Sequence, residues 1–276
     1  MLEDEFVDII KKARTGLGVG LDQVARASEL DVPALRELEA GRRSPTRDEV
    51  RALAVALGLD AAKLAAIACD GWEPGPPAPA LDRSVLTIHG NIGGYAVKGY
   101  VFYDPATREA VMLDTGYNPV AMVRTIEQQG LRLTAVCLTH GHYDHACGLE
   151  TILARYQVPV YLGEDDWSLL GWKPPTTLRR FVADGDRISV GGMELQFVTT
   201  PGHTPGGVCY QATECVFVGD TLFAGSIGRA NPSPLYPTHL QNLRERLLTL
   251  PDDLTLFPGH GPSTTVREEK AHNPFG

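Results

Sequence analysis

The reading of this chain turns on residues 138–145, Leu138-Thr139-His140-Gly141-His142-Tyr143-Asp144-His145. Three histidines and one aspartate fall within six positions. Neutral imidazole is the commonest protein ligand for zinc, and carboxylates complete such sites. A lone histidine is ordinarily a surface or core residue, but this density points to a metal site at His140, His142 and His145. Gly141 gives the backbone freedom to turn sharply between two ligands. Residues 135–138 form a short apolar run that reads as a strand, and 145–156 read as the following helix.

Of the eight histidines, five occupy three places. Beyond the first motif they are His203 in Thr200-Pro201-Gly202-His203 and His260 in Phe257-Pro258-Gly259-His260. Each place follows a predicted strand. So do two acids, Asp114 in Leu113-Asp114-Thr115-Gly116 and Asp220 in Val218-Gly219-Asp220-Thr221. Ligands on loops at strand ends can converge on one rim of a sheet scaffold. A Pro-Gly-His turn alone is a weak signal; beside the first motif, His203, His260 and Asp220 join the expected metal set. For Asp114, a turn cap in Asp-Thr-Gly is the competing reading.

The chain has 276 residues, enough for one large domain and a small one. Residues 1–70 read as helical, with apolar positions such as Phe6, Ile9, Ile10 and Ala13 at helical spacing. Asp31 precedes Val32-Pro33 as an N-cap, Gly41 closes that helix, and Ser44-Pro45-Thr46 opens the next. Residues 71–84 hold Pro74, Pro76, Pro77 and Pro79 and read as a semi-rigid linker. Residues 85–276 then mix strands and helices. Strands are expected at 97–103, 110–113, 135–138, 158–162, 193–199, 208–211, 216–218 and 254–257, and a helix at 119–129. Alternating and hairpin strands together predict an α/β fold, an αββα sandwich preceded by a small all-α domain.

Apolar residues make up 43% and charged residues 21%, an ordinary globular composition. No apolar run approaches the roughly 20 residues that span a bilayer. The acidic start, Met1-Leu2-Glu3-Asp4-Glu5, does not read as a signal peptide, so a cytoplasmic protein is expected. The five cysteines are odd in number and scattered, which argues against a disulfide framework. Cys147 reads as a small buried filler beside the motif. The net charge of −9 disfavours broad binding to nucleic acid or anionic membrane.

Thr-His-x-His-x-Asp-His at 139–145 is followed by Thr-Pro-Gly-His-Thr-Pro-Gly at 200–206, Gly-Asp-Thr-Leu-Phe at 219–223 and Pro-Gly-His-Gly at 258–261. This series resembles the metallo-β-lactamase superfamily. Within it, Gly219 to Arg229 and the ending Asn273-Pro274-Phe275 resemble the short glyoxalase II-like hydrolases. The resemblance implies two divalent metals, zinc with iron or manganese as alternatives. His140, His142 and His203 would hold the first; Asp144, His145 and His260 the second; Asp220 would bridge them. Asp114 would orient a ligand from behind. Asp144 and Asp114 are thus the catalytic candidates. The implied reaction is attack on a thioester or ester carbonyl by a hydroxide shared between metals roughly 3.5–4 Å apart. An iron-dependent persulfide dioxygenase and an ester or lactone hydrolase are the rival enzymes.

Two departures bear on substrate. Asn231 stands where these relatives carry an acid after Gly-Arg, in a proline-rich loop, and Arg229 is a candidate for a substrate carboxylate. About 16 residues follow His260, so the helical domain that helps larger glyoxalase II enzymes bind glutathione is not expected. His239 and Tyr236 read as surface or packing residues.

Leu38-Glu39-Ala40-Gly41-Arg42-Arg43-Ser44-Pro45-Thr46 and the following Leu53 to Leu59 resemble the Cro/XRE-type helix-turn-helix fold. In that family the third helix enters the DNA major groove. Here Val32, Pro33 and Ala34 occupy base-reading positions, and Leu21 replaces a polar residue. Residues 1–72 carry ten Lys and Arg against thirteen Asp and Glu, a net of −3, where DNA-binding modules usually carry a basic face. Arg36, Arg42, Arg43, Arg47 and Arg51 could still form one. DNA binding through residues 1–70, a homodimer interface and a plain scaffold are therefore all open. A transcription regulator with a metal-containing sensor domain is the alternative outside enzymology.

Overall fold

The structure is a computed structural model that describes residues 1–79 and 81–276. Its N-terminal part is built of α1 (Phe6–Gly16), α2 (Leu21–Ala27), α3 (Val32–Glu39), α4 (Arg47–Leu57) and α5 (Ala61–Asp70). The caps follow from sequence. Asp31 accepts the Ala34 N–H at 2.6 Å, and Thr46 with Glu49 forms a reciprocal capping box. Phe6, Ile9, Ile10, Leu35, Leu38, Val50, Leu53 and Leu57 bury the faces that the helical spacing predicts.

Two six-stranded sheets follow. The first runs β1 (Val85–Ile92), β2 (Tyr95–Tyr103), β3 (Glu109–Leu113), β4 (Arg132–Cys137), β5 (Val160–Leu162) and β6 (Arg179–Phe181) in sequence order. β3, β4, β5 and β6 are parallel, connected by α6 (Pro119–Gln128) and by α7 (Tyr143–Ala146) with α8 (Leu149–Arg155). The second holds β7 (Arg187–Val190), β8 (Met193–Thr199), β9 (Val208–Gln211), β10 (Cys215–Gly219), β11 (Thr255–Pro258) and β12 (Thr264–Thr265). Only its β10–β11 pair is parallel. The helices α9 (Tyr236–Asn242) and α10 (Val266–His272) complete the chain.

Strand alternation builds the layers, because successive side chains point to opposite faces. On β10, Cys215 and Phe217 face the space between the sheets and meet Phe102, Leu113, Phe197 and Tyr210. Val216 and Val218 point the other way, into a cluster with Leu243, Leu247 and Val266. That cluster runs on without a break into Phe6, Ile9, Leu53 and Leu64. The N-terminal helices therefore share one core with the outer face of the second sheet. The Asp60 N–H donates to the Pro274 carbonyl at 2.8 Å, and the Tyr236 ring packs on Gly16. On the first sheet, Met122, Ile126, Leu149 and Ile152 cover Val101, Met112 and Val136.

One expected helix is divided. In place of a single helix at 145–156 there are α7 and α8, broken at Cys147-Gly148. The Thr115 hydroxyl accepts the Gly148 N–H at 3.1 Å, and a side chain at Gly148 would collide with Thr115 and Pro119. Contact with the loop after β3 thus sets the break.

Phe217 is 1% exposed at the centre of the inter-sheet layer, against 74% for Val55. Phe217→Ala is expected to cost about 3–5 kcal/mol in denaturant unfolding of the full chain, and Val55→Ala less than about 0.5. Equal small losses would place the core elsewhere.

Candidate metal centre

The sequence-predicted ligands all leave the ends of strands. Asp114 follows β3, and His140 and His142 follow β4. Asp144 and His145 lie in α7; His203, Asp220 and His260 follow β8, β10 and β11. Strands β3 and β4 are parallel neighbours, as are β10 and β11, so their C-terminal ends meet on one edge of the sandwich.

The ring nitrogens are sorted by their outer partners. His145 Nδ1 lies 2.8 Å from Asp114 Oδ2, His203 Nδ1 2.7 Å from the Arg229 carbonyl, and His260 Nδ1 2.6 Å from the Ala96 carbonyl. Each acceptor requires an N–H on Nδ1, so in the neutral rings Nε2 carries a lone pair. These Nε2 atoms face one another and the carboxylates. His145 Nε2 is 3.3 Å from His260 Nε2 and 3.4 Å from Asp220 Oδ1. His260 Nε2 is 3.3 Å from Asp144 Oδ2. His203 Nε2 is 2.9 Å from His142 Nδ1. His140 Nε2 and Asp220 Oδ1 are buried and meet no hydrogen-bond partner among the described residues.

Acceptors crowded against acceptors with orphaned buried atoms are costly unless a cation sits between them. Three donor groups satisfy close mutual approach: His140, His142 and His203; His140, His145 and Asp220; and Asp144, His145 and His260. Their nitrogen and carboxylate chemistry fits zinc, iron or manganese. The residues present therefore fit two divalent metals.

Glycines make the crowding feasible. A side chain at Gly259 would strike His145 and Asp220, 2.4 and 2.5 Å from its Cβ position. Gly141 also serves by close approach: a Cβ there would meet the Asp166 carbonyl at 2.6 Å, and its φ is not positive. The expected sharp turn is thus a tight packing contact.

Charge divides the cluster. Burial lowers the pKa of His203 to about 3 and of His140 well below its ordinary value, so both stay neutral. Burial also pulls on His145, but Asp220, Asp114 and Asp144 outweigh it and hold the ring up to about 10. Burial would raise Asp144, yet its hydrogen bond to His260 and the charges of His145 and His260 draw it below the usual carboxylate range.

Residues 94–260 match the family described as the metallo-beta-lactamase superfamily, and residues 5–67 match a helix-turn-helix domain. The chain belongs to the metallo-beta-lactamase superfamily. Among its relatives is the probable metallo-hydrolase YqgX of Bacillus subtilis, 33% identical over 60% of this chain and 87% of that one. The hydroxyacylglutathione hydrolase GloC of Haemophilus influenzae is 30% identical over 61% of this chain and 87% of its own. The solved structure of TTHA1623 in a di-iron-bound form overlays with a TM-score of 0.58 at 32% identity, covering 68% of this chain and all of that one.

The remaining named residues sort by position. Arg229 is exposed at the rim of a cavity of about 630 Å³ that His142, His203, Asp220 and His260 also line. His239 is buried with Nε2 2.8 Å from the Thr221 carbonyl, and Tyr236 is buried, so both are packing residues. Cys147 is half-buried and all five cysteines are free.

Sequence reading missed Asp166. Fully buried, it accepts the Gly141 N–H at 2.9 Å, the Thr204 hydroxyl at 2.7 Å and the Gly206 N–H at 2.7 Å. It ties the His140–His142 loop of this superfamily member to the loop after His203. A signal was present, since Asp166 follows β5 as Asp114 follows β3 and Asp220 follows β10. Also missed were Glu3, Asp4, Asp8 and Lys12, which line the same cavity.

Asp166→Ala strands three buried donors, and a loss of about 3 kcal/mol or more of stability is expected by chemical denaturation. A second expectation concerns pH. A metal at Asp144, His145 and His260 must displace the proton that His145 holds below about pH 10. Its apparent affinity therefore falls as pH falls, by up to about tenfold per unit. His140 and His203 carry no such proton near neutrality. Chelator competition from pH 8 to pH 6 should empty one metal before the other, and simultaneous release of both would contradict this.

Proposed function

We propose that this chain is a two-metal hydrolase that cleaves thioesters. The observation that carries it is the pair of donor triads flanking Asp220, His140–His142–His203 on one side and Asp144–His145–His260 on the other. Two divalent metals bound there would supply a nucleophile from water at neutral pH and charge to stabilise the developing oxyanion. Likeness to GloC, named as a hydroxyacylglutathione hydrolase, supports an acyl group carried on a thiol.

The roles of the residues follow from their surroundings. Asp220, buried between His145, His203 and His260, would bridge the two metals. Asp114 receives the Thr139 N–H at 2.7 Å and the Thr139 hydroxyl at 2.8 Å while holding His145 Nδ1, so it fixes that ring's tautomer and orientation. Against the pull of burial, Asp144 is held ionised by the hydrogen bond to His260 and the charges of His145 and His260, so its Oδ2 would serve as a carboxylate ligand beside those two rings. A thiol is acidic enough, with an ordinary pKa of about 8.5, to leave as a thiolate without a strong general acid. Arg229 pairs with no acid among the described residues and stands free at the cavity rim for a substrate carboxylate.

The N-terminal helices are read as a scaffold. Arg42 pairs with Glu37 at 3.0 Å, Arg43 with Glu49 at 2.5 Å, Arg51 with Asp48 at 3.4 Å, and Arg47 with Asp70. Four of the five arginines named for a basic patch thus share a carboxylate, while Arg36 pairs with no acid among the described residues.

Elemental analysis with a panel of thioesters, lactones and persulfides tests the reaction. Two metals per chain, thioester turnover and no oxygen uptake are expected; one iron with oxygen uptake would sink the proposal in favour of a dioxygenase. His142→Ala and Asp220→Asn should each lower kcat/KM at least about 100-fold in folded protein, as loss of several kcal/mol of metal-derived stabilisation requires.

A further inference from the structure

Residues 221–231 leave Asp220, and Phe223 with Gly228 to Asn231 line the cavity beside the metal centre. At their far end the Gly228 N–H donates to the Asp220 carbonyl at 3.0 Å. The Arg229 carbonyl holds His203 Nδ1, and the Asn231 N–H donates to the His203 carbonyl at 3.0 Å. This loop therefore fixes how His203 presents Nε2.

The middle of the loop is held from more than 200 residues away in sequence. Lys12 Nζ, on α1, donates to the Ile227 carbonyl at 2.8 Å. Asp4 Oδ2 accepts the Ser226 hydroxyl at 2.6 Å. Lys12 and Asp4 are ion-paired to each other, with side chains 11% and 7% exposed. The Lys12 ammonium also lies 4.7 Å from the centroid of Phe223, whose ring stands edge-on to His260 at 5.6 Å. With each of these contacts made, the pair is committed to the loop and not left over for substrate. Both residues line the cavity that reaches His142, His203, Asp220 and His260.

We infer that Lys12 and Asp4 are positioning residues of the metal centre, supplied by the N-terminal helical region, which set His203 through loop 221–231. The loop has other ties as well: the Gly225 N–H donates to the Glu269 carboxylate, and Asn273 Nδ2 donates to the Ser226 carbonyl at 2.9 Å. The Lys12–Asp4 pair is the tie supplied by the N-terminal region, and through Ile227 it lies two residues from Arg229. Partners behind a ligand commonly govern metal affinity by 10- to 100-fold. Here that partner is a backbone carbonyl, Arg229, and the ion pair holds the segment that carries it. The inference rests on the reading of the cluster as a two-metal centre, but not on any substrate.

The test uses the full chain, titrated with zinc against a chromophoric chelator and with cobalt by its visible ligand-field absorption. Lys12→Met keeps the apolar stem and removes the donor. It should weaken the metal bound through His203 by about 10- to 100-fold, shift the cobalt spectrum, and change the other metal's affinity less than threefold. Lys12→Arg, which keeps charge and donors, should stay within about threefold of wild type for both. Lys12→Met leaves Asp4 buried without its counter-ion, so Ser226→Ala serves as the mild variant. Deleting that one hydroxyl should weaken the same metal in the same direction, while the metal-free protein stays folded with a melting point lowered by only a few degrees. Wild-type titration curves and cobalt spectra in Lys12→Met or, should it not fold, in Ser226→Ala would overturn the inference. So would equal weakening of both metals. Wild-type protein that binds no metal would instead overturn the metal centre itself.

Discussion

The arrangement on which the structure depends is a set of ring nitrogens and carboxylate oxygens turned toward one another. Imidazole Nε2 atoms of His145, His203 and His260 face inward only because each Nδ1 has an acceptor behind it. Those acceptors come from three separate places: the carboxylate of Asp114 after β3, the Arg229 carbonyl in the loop after β10, and the Ala96 carbonyl on β2. Buried acceptors without donors are unfavourable in a protein of only marginal net stability. The rest of the fold must therefore hold them by force of packing, and the compensation is the affinity for cations.

The two sheets supply that force. Phe102, Phe197, Tyr210, Phe217 and Phe257 fill the layer between them, with Phe217 and Phe257 stacked at 5.4 Å between centroids. Close-packed interiors are stiff, so strand ends rooted in this layer keep their spacing. Tyr100 adds a polar tie within it, donating its hydroxyl to the Pro258 carbonyl at 2.6 Å. Lys98 donates its N–H to the Gly259 carbonyl at 2.8 Å, one residue before His260. Strand β2 of the first sheet thus clasps the ligand loop of the second from two sides. The parallel pairs β3–β4 and β10–β11 matter because parallel neighbours release their chains at the same edge, as in other sheets that carry sites at carboxyl ends.

What was legible in the sequence was whatever is local. His140, His142, Asp144 and His145 lie close enough in the chain to declare a metal site without a fold. The caps at Asp31 and Thr46, the strands 193–199 and 208–211, and the helix at 119–129 follow from periodicity and punctuation over short windows. The failures are long-range. Helix 145–156 is broken by Thr115, thirty residues earlier in the chain, and nothing near Gly148 signals that contact. The function of Gly141 depends on the approach of the Asp166 carbonyl. Asp166 itself repeated the pattern of an acid after a strand, yet without a histidine beside it the pattern went unread. Strand β1 was not anticipated because its exposed half mixes Thr87, His89 and Asn91 into the apolar run.

The N-terminal helix-turn-helix region packs on the metallo-β-lactamase part through one continuous core. Helices α1 and α5 spend their surface on the hydrolase part: α1 through Lys12 and Gly16, α5 through Ile67 beside Gly225 and through Lys63, whose ammonium reaches the Gly276 carbonyl at 3.1 Å. Helix α3 buries Leu35 and Leu38 in the shared core and keeps Pro33 and Arg36 exposed. An arginine that already shares a carboxylate must give up that partner to meet a phosphate, so less is gained on binding than an unpaired arginine would gain. The buried side of the region joins the core that holds Val216, Val218 and Leu222. The N-terminal helices thus cover the outer face of the sheet from whose strand end Asp220 departs.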